Sequence, residues 1–439
     1  MLVNQISEGF VATFTAEVFS NEFLPEGATD VHAIVSVRAS GVEAGAVGAG
    51  QSGSGAAEII IFDSSGSMTG RNMEAAKHAA AVAVDAIPDG TFFAIVQGSH
   101  VANRVFPYPN APVKIVQMEP GARAEAKRAI ARVTPSGGTA MSSWLLLADE
   151  IFATLPAGVR KHAILLTDGK NESEPTGNLS RAIRRVQGNF QVDARGVGDR
   201  WIVEEVREIS TALLGTVGLI ADPSQIAADF EQMIRTSVNR GVADAQLRVW
   251  IPQGAQLLFV RQVAPTLEDL TARRIDVNPL TGGFPTGSWG NEEREYHVAV
   301  RVGSKPVGAE QLVARVQFTV DGQVHASGLV KAQWSGDANL TARISPEVAH
   351  YTGQAELAAV IQEGLAAKSA GDEATATVKL GRAVQLAQQT GNDEATSRLR
   401  RVVEIDNPER GTVRLKRDTS KLDEMALDTA STKTTRVRK

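Results

Sequence analysis

The sequence predicts a mixed α/β protein in which a doubly wound, mostly parallel sheet is inserted in, or lies next to, a β-sandwich. A C-terminal helical bundle and a disordered tail follow. Short apolar strands alternate with helices over about 58–235, which favours a parallel sheet covered by helices on both faces. Segments that contain only strands stand on either side of this region, and an Ala-rich helical stretch occupies 353–405.

These patterns divide the chain into six segments. They are N-terminal strands of a sandwich (1–40), a Gly/Ala/Ser-rich linker (41–56), the α/β domain (57–236), the body of the sandwich (237–340), a helical bundle (345–406) and a basic, Thr-rich tail expected to be disordered (407–439). The N-terminal strands are too few to fold alone, so we expect them to complete a sheet made elsewhere in the chain. The pattern does not decide whether they join the strands of 237–340.

Composition excludes several classes of function. The 439 residues include 45 Lys+Arg and 50 Asp+Glu, and the net charge of −5 offers no basic excess for binding nucleic-acid phosphates. The chain has no Cys, which excludes disulfides, thiolate zinc sites, iron–sulfur clusters and a cysteine nucleophile. We find neither an apolar run long enough for a membrane helix nor a secretory signal, and we expect a cytoplasmic protein.

A set of oxygen-bearing side chains is predicted at one edge of the parallel sheet. The first strand of the α/β domain ends in Asp63, and Ser65 and Ser67 follow at alternate positions. A second buried strand leads into Asp168, and Thr139 follows a Gly-Gly pair at a helix start. Carboxylates and hydroxyls without sulfur or imidazole suit Mg²⁺, Mn²⁺ or Ca²⁺ rather than zinc. A plainer interpretation, in which these groups only cap helix starts and turns, stays open.

The motif Asp63-x-Ser65-x-Ser67, together with Thr139 and Asp168, resembles the metal-ion-dependent adhesion site of von Willebrand factor type A (VWA) domains. The resemblance covers about 58–235 and departs from the family at none of the five positions. It implies that the hydroxyls and carboxylates bind a metal directly or through water, and that an Asp or Glu of a protein partner completes the coordination. The whole chain is similar to bacterial, especially actinobacterial, cytoplasmic VWA proteins.

The oxygen-bearing site and the resemblance to VWA proteins together imply a non-enzymatic, Mg²⁺-dependent protein-binding scaffold, and the resemblance to the bacterial proteins implies a role in signalling. The sequence contains no P-loop, no zinc-protease motif and no nucleophile elbow, and its seven His are scattered. Two alternatives stay open. One is an accessory subunit of an AAA+ ATPase machine, and the other is a metal-assisted hydrolase.

The Thr-rich tail is a candidate phosphorylation segment. Its candidate acceptors are Thr419, Thr429, Thr432, Thr434 and Thr435, with basic residues around them. A phosphate adds about −1.5 to −2 charge and three strong acceptors, which a phosphothreonine reader can bind. The resemblance to bacterial VWA proteins implies a Ser/Thr kinase, a PP2C-type phosphatase or a forkhead-associated domain protein as partner. A solvated tail without a function is the alternative.

Overall fold

Strands and helices occupy most of the part of the chain that the structure describes. The structure is a computed structural model, and it describes residues 12–42, 55–156 and 158–437. Strands in these ranges form three large sheets and one two-stranded hairpin. Most of the predicted linker 41–56, from 43 to 54, lies outside the described residues.

A seven-stranded sheet with the order β10-β9-β8-β4-β5-β6 forms the centre of the α/β domain, and β7 also pairs with β5. The strands are β4 (Ala56–Asp63), β5 (Phe92–Gly98), β6 (Ala102–Phe106), β7 (Val116–Gln117), β8 (Arg160–Thr167), β9 (Gln191–Val197) and β10 (Val217–Ile220). β4, β5, β8, β9 and β10 are parallel, whereas β6 and β7 run antiparallel to β5.

Helices cover both faces of this sheet, as the sequence predicts. They are α1 (Arg71–Ala86), α2 (Pro120–Ala131), α3 (Met141–Phe152), α4 (Asn178–Val186), α5 (Val203–Ala212) and α6 (Ile226–Val238). Alternate side chains of β4 enter opposite cores: Ile60 packs in the core that includes Phe230 of α6, whereas Ile61 packs in the core that includes Trp144 of α3. Burial on both faces explains why β4 is a continuous apolar run.

Two sheets pack face to face as a β-sandwich, and their strands pair antiparallel except for β2, which is parallel to β18. One sheet has the order β1-β3-β16-β12-β13 and the other the order β14-β15-β11-β17-β18-β2. The strands are β1 (Thr13–Ser20), β2 (Phe23–Leu24), β3 (Asp30–Ser40), β11 (Val242–Trp250), β12 (Gln256–Ala264), β13 (Glu268–Asp269), β14 (Ile275–Asn278), β15 (Thr281–Trp289), β16 (Glu293–Arg301), β17 (Glu310–Val320) and β18 (Gln323–Trp334). Tyr296 of the first sheet shares a core with Phe284 and Phe318 of the second.

The N-terminal strands belong to this sandwich. β3 pairs antiparallel with β16 over the full length of β16, from Asp30–Arg301 to Arg38–Glu293, and β1 continues the sheet beyond β3. The α/β domain is therefore inserted between β3 and β11 of one sandwich. This arrangement decides the pairing that the sequence pattern left open.

Three helices, α8 (Pro346–Ser369), α9 (Glu373–Gln389) and α10 (Asp393–Val402), form the C-terminal bundle, and a short helix α7 (Ala338–Thr341) precedes them. The side chains of Asp372 and Asn392 accept hydrogen bonds from backbone N–H groups three residues later and cap α9 and α10. Within the described ranges, no helix combines the length and the hydropathy that crossing a bilayer requires.

The prediction of a disordered tail over 407–439 is wrong for its described part. β19 (Val403–Asn407) and β20 (Thr412–Leu415) form a hairpin, and α11 (Lys421–Ala430) follows. Met425 of α11 packs in the core of the α/β domain, whereas Leu427 packs in the core of the bundle. The tail has few apolar residues, and its composition therefore suggested disorder. Those few residues pack against other domains, and the composition of the tail gives no information about such contacts.

An ionic cluster crosses three adjacent strands inside the α/β domain. Nδ1 of His162 on β8 lies 2.6 Å from Glu58 Oε2 on β4, and its Nε2 lies 3.0 Å from Asp193 Oδ2 on β9. All three side chains are buried. Burial by itself would lower the pKa of His162, but the two carboxylates outweigh it and raise the pKa to about 9. The imidazole is therefore charged at neutral pH and neutralises part of the buried negative charge.

Replacing Met425 with Ala should loosen α11 from the α/β domain. Met425 is 6% exposed, and the lost contacts and the cavity should reduce the free energy of unfolding by about 2 kcal/mol. Hydrogen exchange in α11 and the melting temperature measure the effect. Val378→Ala is the matched control, because Val378 is 70% exposed. Unchanged exchange in α11 would contradict the packing described here.

The His162 cluster should make stability fall at alkaline pH. The folded-state pKa of about 9 lies above the unfolded value of about 6.5, so the stabilisation is complete below pH ~6.5 and is lost as pH rises through ~9. The loss should be on the order of 3 kcal/mol. Denaturant unfolding between these pH values measures it. His162→Gln should flatten this slope, whereas His78→Gln, at an exposed position of α1, should keep it. An equal slope in both variants would refute the assignment.

Candidate metal centre

The five predicted site residues lie together at the carboxyl edge of the α/β sheet. Asp63 ends β4, and Asp168 directly follows β8, which is the hydrogen-bonded parallel neighbour of β4. Ser65 and Ser67 stand on the loop between β4 and α1, and Thr139 stands just before α3. The parallel pairing of β4 with β8 therefore brings the two carboxylates to one place.

Oxygen atoms from three segments face a common point beside Gly169. A Cβ atom built on Gly169 would lie 3.2 Å from Thr139 Oγ1, 3.3 Å from Ser67 Oγ and 4.0 Å from Asp63 Oδ2. Gly169 thus leaves open the space that these three oxygens surround. A side chain at this position would press against two of the hydroxyls.

Hydrogen bonds connect the side chains of the site. Ser65 Oγ and Ser67 Oγ are 2.8 Å apart, and Ser67 donates to Asp168 Oδ1 at 2.6 Å. Asp63 Oδ1 accepts the Ser65 N–H at 2.7 Å, and its Oδ2 accepts the Thr167 hydroxyl at 2.7 Å. The four predicted residues in this network already have fixed orientations before any ligand is considered.

The two carboxylates are almost completely withdrawn from solvent. Asp63 is 0% and Asp168 is 1% exposed. Burial raises the pKa of Asp63 to about 6, although hydrogen bonds from Ser65 and Thr167 act in the opposite direction. Two buried carboxylates side by side are costly unless positive charge compensates them, so the site favours a cation.

The Gly-Gly pair before Thr139 is required by close packing. A Cβ on Gly137 would lie 1.9 Å from His100 Nδ1, and one on Gly138 would lie 1.8 Å from Ser173 Oγ. Gly137 also has a φ of +72°, a conformation that side chains disfavour. The Gly137 carbonyl accepts the Gly66 N–H at 2.7 Å, which joins this loop to the loop that carries Ser65 and Ser67.

The loop after β8 holds the start of α3 and with it Thr139. The Asn171 side chain accepts the Met141 N–H at 2.8 Å, and Glu174 accepts the Ser142 N–H at 3.2 Å. The Ser173 N–H donates to the Thr139 carbonyl at 2.9 Å. Sequence reasoning missed Asn171 and Glu174, because the recognisable capping signal lies directly before a helix, whereas these two residues are about 30 positions from α3 in the chain.

A cation at this site would depend on hydroxyl ligands. Within 12–42, 55–156 and 158–437, no three or more His, Cys, Asp or Glu side chains are grouped to hold a metal ion. The predicted set consists of two carboxylates and three hydroxyls, a purely oxygen set that fits a hard divalent cation. The convergence of oxygens beside Gly169 agrees with that chemistry.

Exposed charged side chains surround the opening, which we call the metal-face cleft. Ser65, Ser67 and Thr139 line it together with Lys170, Glu172, Arg200 and Lys421. Arg200 Nη2 lies 3.5 Å from Asp168 Oδ2, and Asn72 Nδ2 donates to the same oxygen at 2.9 Å. Sequence reasoning missed Arg200, Asn72 and Lys421. Lys421 belongs to the C-terminal helix α11. Its position at the cleft depends on tertiary packing, and no local sequence pattern could indicate it.

The threonines of the predicted phosphorylation segment lie in a packed part of the chain. Thr429 is 5% exposed. Thr419 and Thr434 donate their hydroxyls to the carbonyls of Lys416 and Val263 at 3.0 and 2.6 Å. Thr435 accepts from the Gln354 side chain at 2.7 Å, and the Thr432 carbonyl accepts the Leu267 N–H at 2.7 Å. Phosphorylation stays a prediction, and at most of these positions it would need local detachment of the segment.

Comparison with known proteins identifies two regions of the chain. The family model of the von Willebrand factor type A domain matches residues 57–218. The model of the von Willebrand factor type A C-terminal domain matches residues 385–431, which include α10, the hairpin and α11. Domains of this family generally mediate protein–protein contacts, are typically not enzymes and commonly bind a metal ion.

Two solved structures are similar to this chain over almost its whole length. The von Willebrand factor type A structure from Catenulispora acidiphila is 45% identical, with a TM-score of 0.91, and the alignment covers 98% of this chain and 99% of that one. The ArnB paralog VWA2 from Sulfolobus acidocaldarius, 15% identical over 96% of this chain and 98% of its own, has a TM-score of 0.56 and shows the fold alone.

An uncharacterized protein of Synechocystis sp. is 30% identical over 221 residues, which are 49% of this chain. The chain spans about half of the length of this curated relative, since the alignment covers 50% of it. The likeness to the Catenulispora structure, by contrast, extends over nearly the full length of both chains. The matched α/β and C-terminal regions, and this full-length likeness, show that the chain belongs to the von Willebrand factor type A family.

Proposed function

We propose that the protein is a non-enzymatic scaffold that binds a protein partner through a divalent cation, Mg²⁺ in the first instance and Mn²⁺ or Ca²⁺ as substitutes. The residues that would hold the cation are Asp63, Ser65, Ser67, Thr139 and Asp168. The observation that carries the proposal is the convergence of Thr139, Ser67 and Asp63 oxygens beside Gly169. The family supports it, because its domains generally bind proteins and commonly a metal.

Charge and coordination number explain what the site would do for binding. Two carboxylates neutralise one divalent cation, and the hydroxyls of Ser65, Ser67 and Thr139 add neutral ligands. Mg²⁺ takes six oxygen ligands, so a bound ion supplies a position for a carboxylate of a partner. The ordered hydrogen bonds of Ser67 and Asp63 reduce the entropy that this chain would lose on binding.

The rim of the metal-face cleft supports an acidic partner. Lys170, Arg200 and Lys421 are exposed cations, and Glu172 is the exposed acid among the lining residues. Positive charge around a cleft attracts and orients an acidic surface. Because such charges are screened by salt, the rim should contribute more to the association rate than to the lifetime of the complex.

The alternatives lead to different observations. A metal-assisted hydrolase needs a general base, and Asp63 or Asp168 could act as one only by giving up its part in holding the cation. An accessory subunit of an AAA+ ATPase machine would use the same metal-face cleft, and the identity of its partner would distinguish it. Cytoplasmic bacterial signalling, with a Ser/Thr kinase, a PP2C-type phosphatase or a forkhead-associated domain as partner, stays a prediction.

Metal binding by the five residues can be measured directly. Asp63→Asn and Thr139→Val should each reduce Mn²⁺ or Mg²⁺ affinity at least tenfold, because each removes one oxygen ligand or its charge. Isothermal titration of the full chain gives the affinity. Asp199→Asn is the matched control, since it removes the same charge from an exposed position near the cleft. Equal affinity of Asp63→Asn and Asp199→Asn would exclude the proposed site.

Partner capture tests the function itself. The immobilised full chain should retain a protein in Mg²⁺ and release it in EDTA, and Thr139→Val should not retain it. Substituting single Asp and Glu residues of the captured protein should then abolish binding at one position. An AAA+ ATPase among the retained proteins would favour that alternative. Retention that is identical in Mg²⁺, in EDTA and with Thr139→Val would reject a metal-dependent scaffold.

A further inference from the structure

We propose that the protein has a second ligand site, separate from the metal-face cleft, which binds a small phosphate-bearing molecule. The site is the junction cavity, a space of about 490 Å³ where the α/β domain, the sandwich, the bundle and α11 meet. Its volume falls in the range of about 300–1,000 Å³ that is usual for small-molecule sites. This inference does not depend on the proposed function of the metal-face cleft.

The walls of the junction cavity come from four parts of the fold. β10 contributes the edge of the α/β sheet, and residues 266–268 contribute the sandwich side. Arg398 and Arg401 of α10 contribute the bundle side, and Thr429 of α11 closes the remaining side. A molecule in the cavity would therefore contact all four parts at once.

The charged side chains that line the cavity are mostly basic. They comprise Arg195, Arg207, Arg398, Arg401 and Lys433, against the acids Asp229 and Glu268. Arg195 and Arg207 each form a close ion pair at 2.6 Å, with Asp229 and Asp428 respectively. The other three cations have weaker or shared ion pairs, so their charge is the least compensated.

Among the described residues, Arg398, Arg401 and Lys433 form ion pairs with only two carboxylates. Arg398 and Lys433 share Glu394, at 2.9 and 3.8 Å. Arg401 reaches Asp423 only at 3.4 Å, and Asp423 already accepts the Ser420 hydroxyl at 2.6 Å. Three cations thus pair with two carboxylates, and one of these, Asp423, also accepts the Ser420 hydroxyl. An anion bound between α10 and Lys433 would neutralise the remaining positive charge.

Two donors in the cavity wall have no hydrogen-bond partner in the part of the chain that the structure describes. The hydroxyl of Thr429 and Nε of Arg207 are buried and unpaired, and both residues line the cavity. A buried donor without a partner costs about 1–3 kcal/mol. A ligand rich in acceptors, admitted by a small side-chain movement, would recover part of that cost.

These features select phosphate among small anions. A phosphate group accepts several hydrogen bonds at once, and arginine binds it through parallel N–H groups. The junction cavity offers guanidinium groups and an ammonium group from α10 and the C-terminal segment, together with hydroxyl donors. A single carboxylate would use only part of this set. The volume leaves room for more than one phosphate or for a nucleoside beside it.

Isothermal titration of the full chain with pyrophosphate and with ADP, in EDTA and at low ionic strength, tests the proposal. EDTA removes divalent cations, so phosphate bound to a metal at the other site cannot contribute. We expect saturable binding of at least one probe. Tighter binding of ADP would assign the site to nucleotides, and equal binding would assign it to phosphate groups alone; both results support the site.

Arg401→Gln and Lys433→Gln should each weaken binding at least fivefold. Their side chains are 63% and 57% exposed, so both variants should fold, which circular dichroism checks. Arg414→Gln is the matched control, because Arg414 is 69% exposed and also paired with a carboxylate, but lies on β20 outside the cavity lining. Absence of binding of both probes, or equal affinity of Arg401→Gln and Arg414→Gln, would overturn the proposal.

Discussion

The parallel pairing of β4 with β8 is the constraint on which the candidate metal site depends. Its register sets Phe62 beside Leu166, so that Asp63 and Asp168 leave the sheet at the same edge. The buried contact of Glu58 with His162 specifies this register, because a shift by one residue would turn Glu58 away from His162 and leave the two groups buried without each other. The sheet thus determines the positions of the two carboxylates. The loops before α1 and α3 place the hydroxyls of Ser65, Ser67 and Thr139 around them.

The C-terminal segment connects parts of the molecule that are far apart in the chain. α11 inserts Met425 into the α/β core and Leu427 into the bundle core. Beyond α11, Thr434 donates to the Val263 carbonyl of β12. The same helix carries Lys421 at the metal-face cleft and Thr429 at the junction cavity. A ligand in the cavity would thus hold a helix that also forms part of the surface offered to a partner.

Much of the architecture could be predicted from the sequence because periodicity is a local property. The alternation of strands and helices, the two strand-only regions and the helical bundle all arise from side chains close in sequence. The five candidate ligands were recognisable for a similar reason, since strand ends and a Gly-Gly turn mark their places. By contrast, Arg200, Asn72 and Lys421 could not be selected, because their part in the site depends on neighbours from distant segments.

By itself, the sequence determined the fold class, the candidate ligand set and its oxygen chemistry, because residue type and local spacing specify these. Tertiary structure alone decided that β3 pairs with β16, that the described part of the tail is folded, and that Lys421 stands at the metal-face cleft. The physical reason is that burial and charge compensation depend on partners far away in the chain. The ten-residue helix α11 is stabilised by burial of Met425 in the α/β core and of Leu427 in the bundle core, and no local pattern indicates either contact.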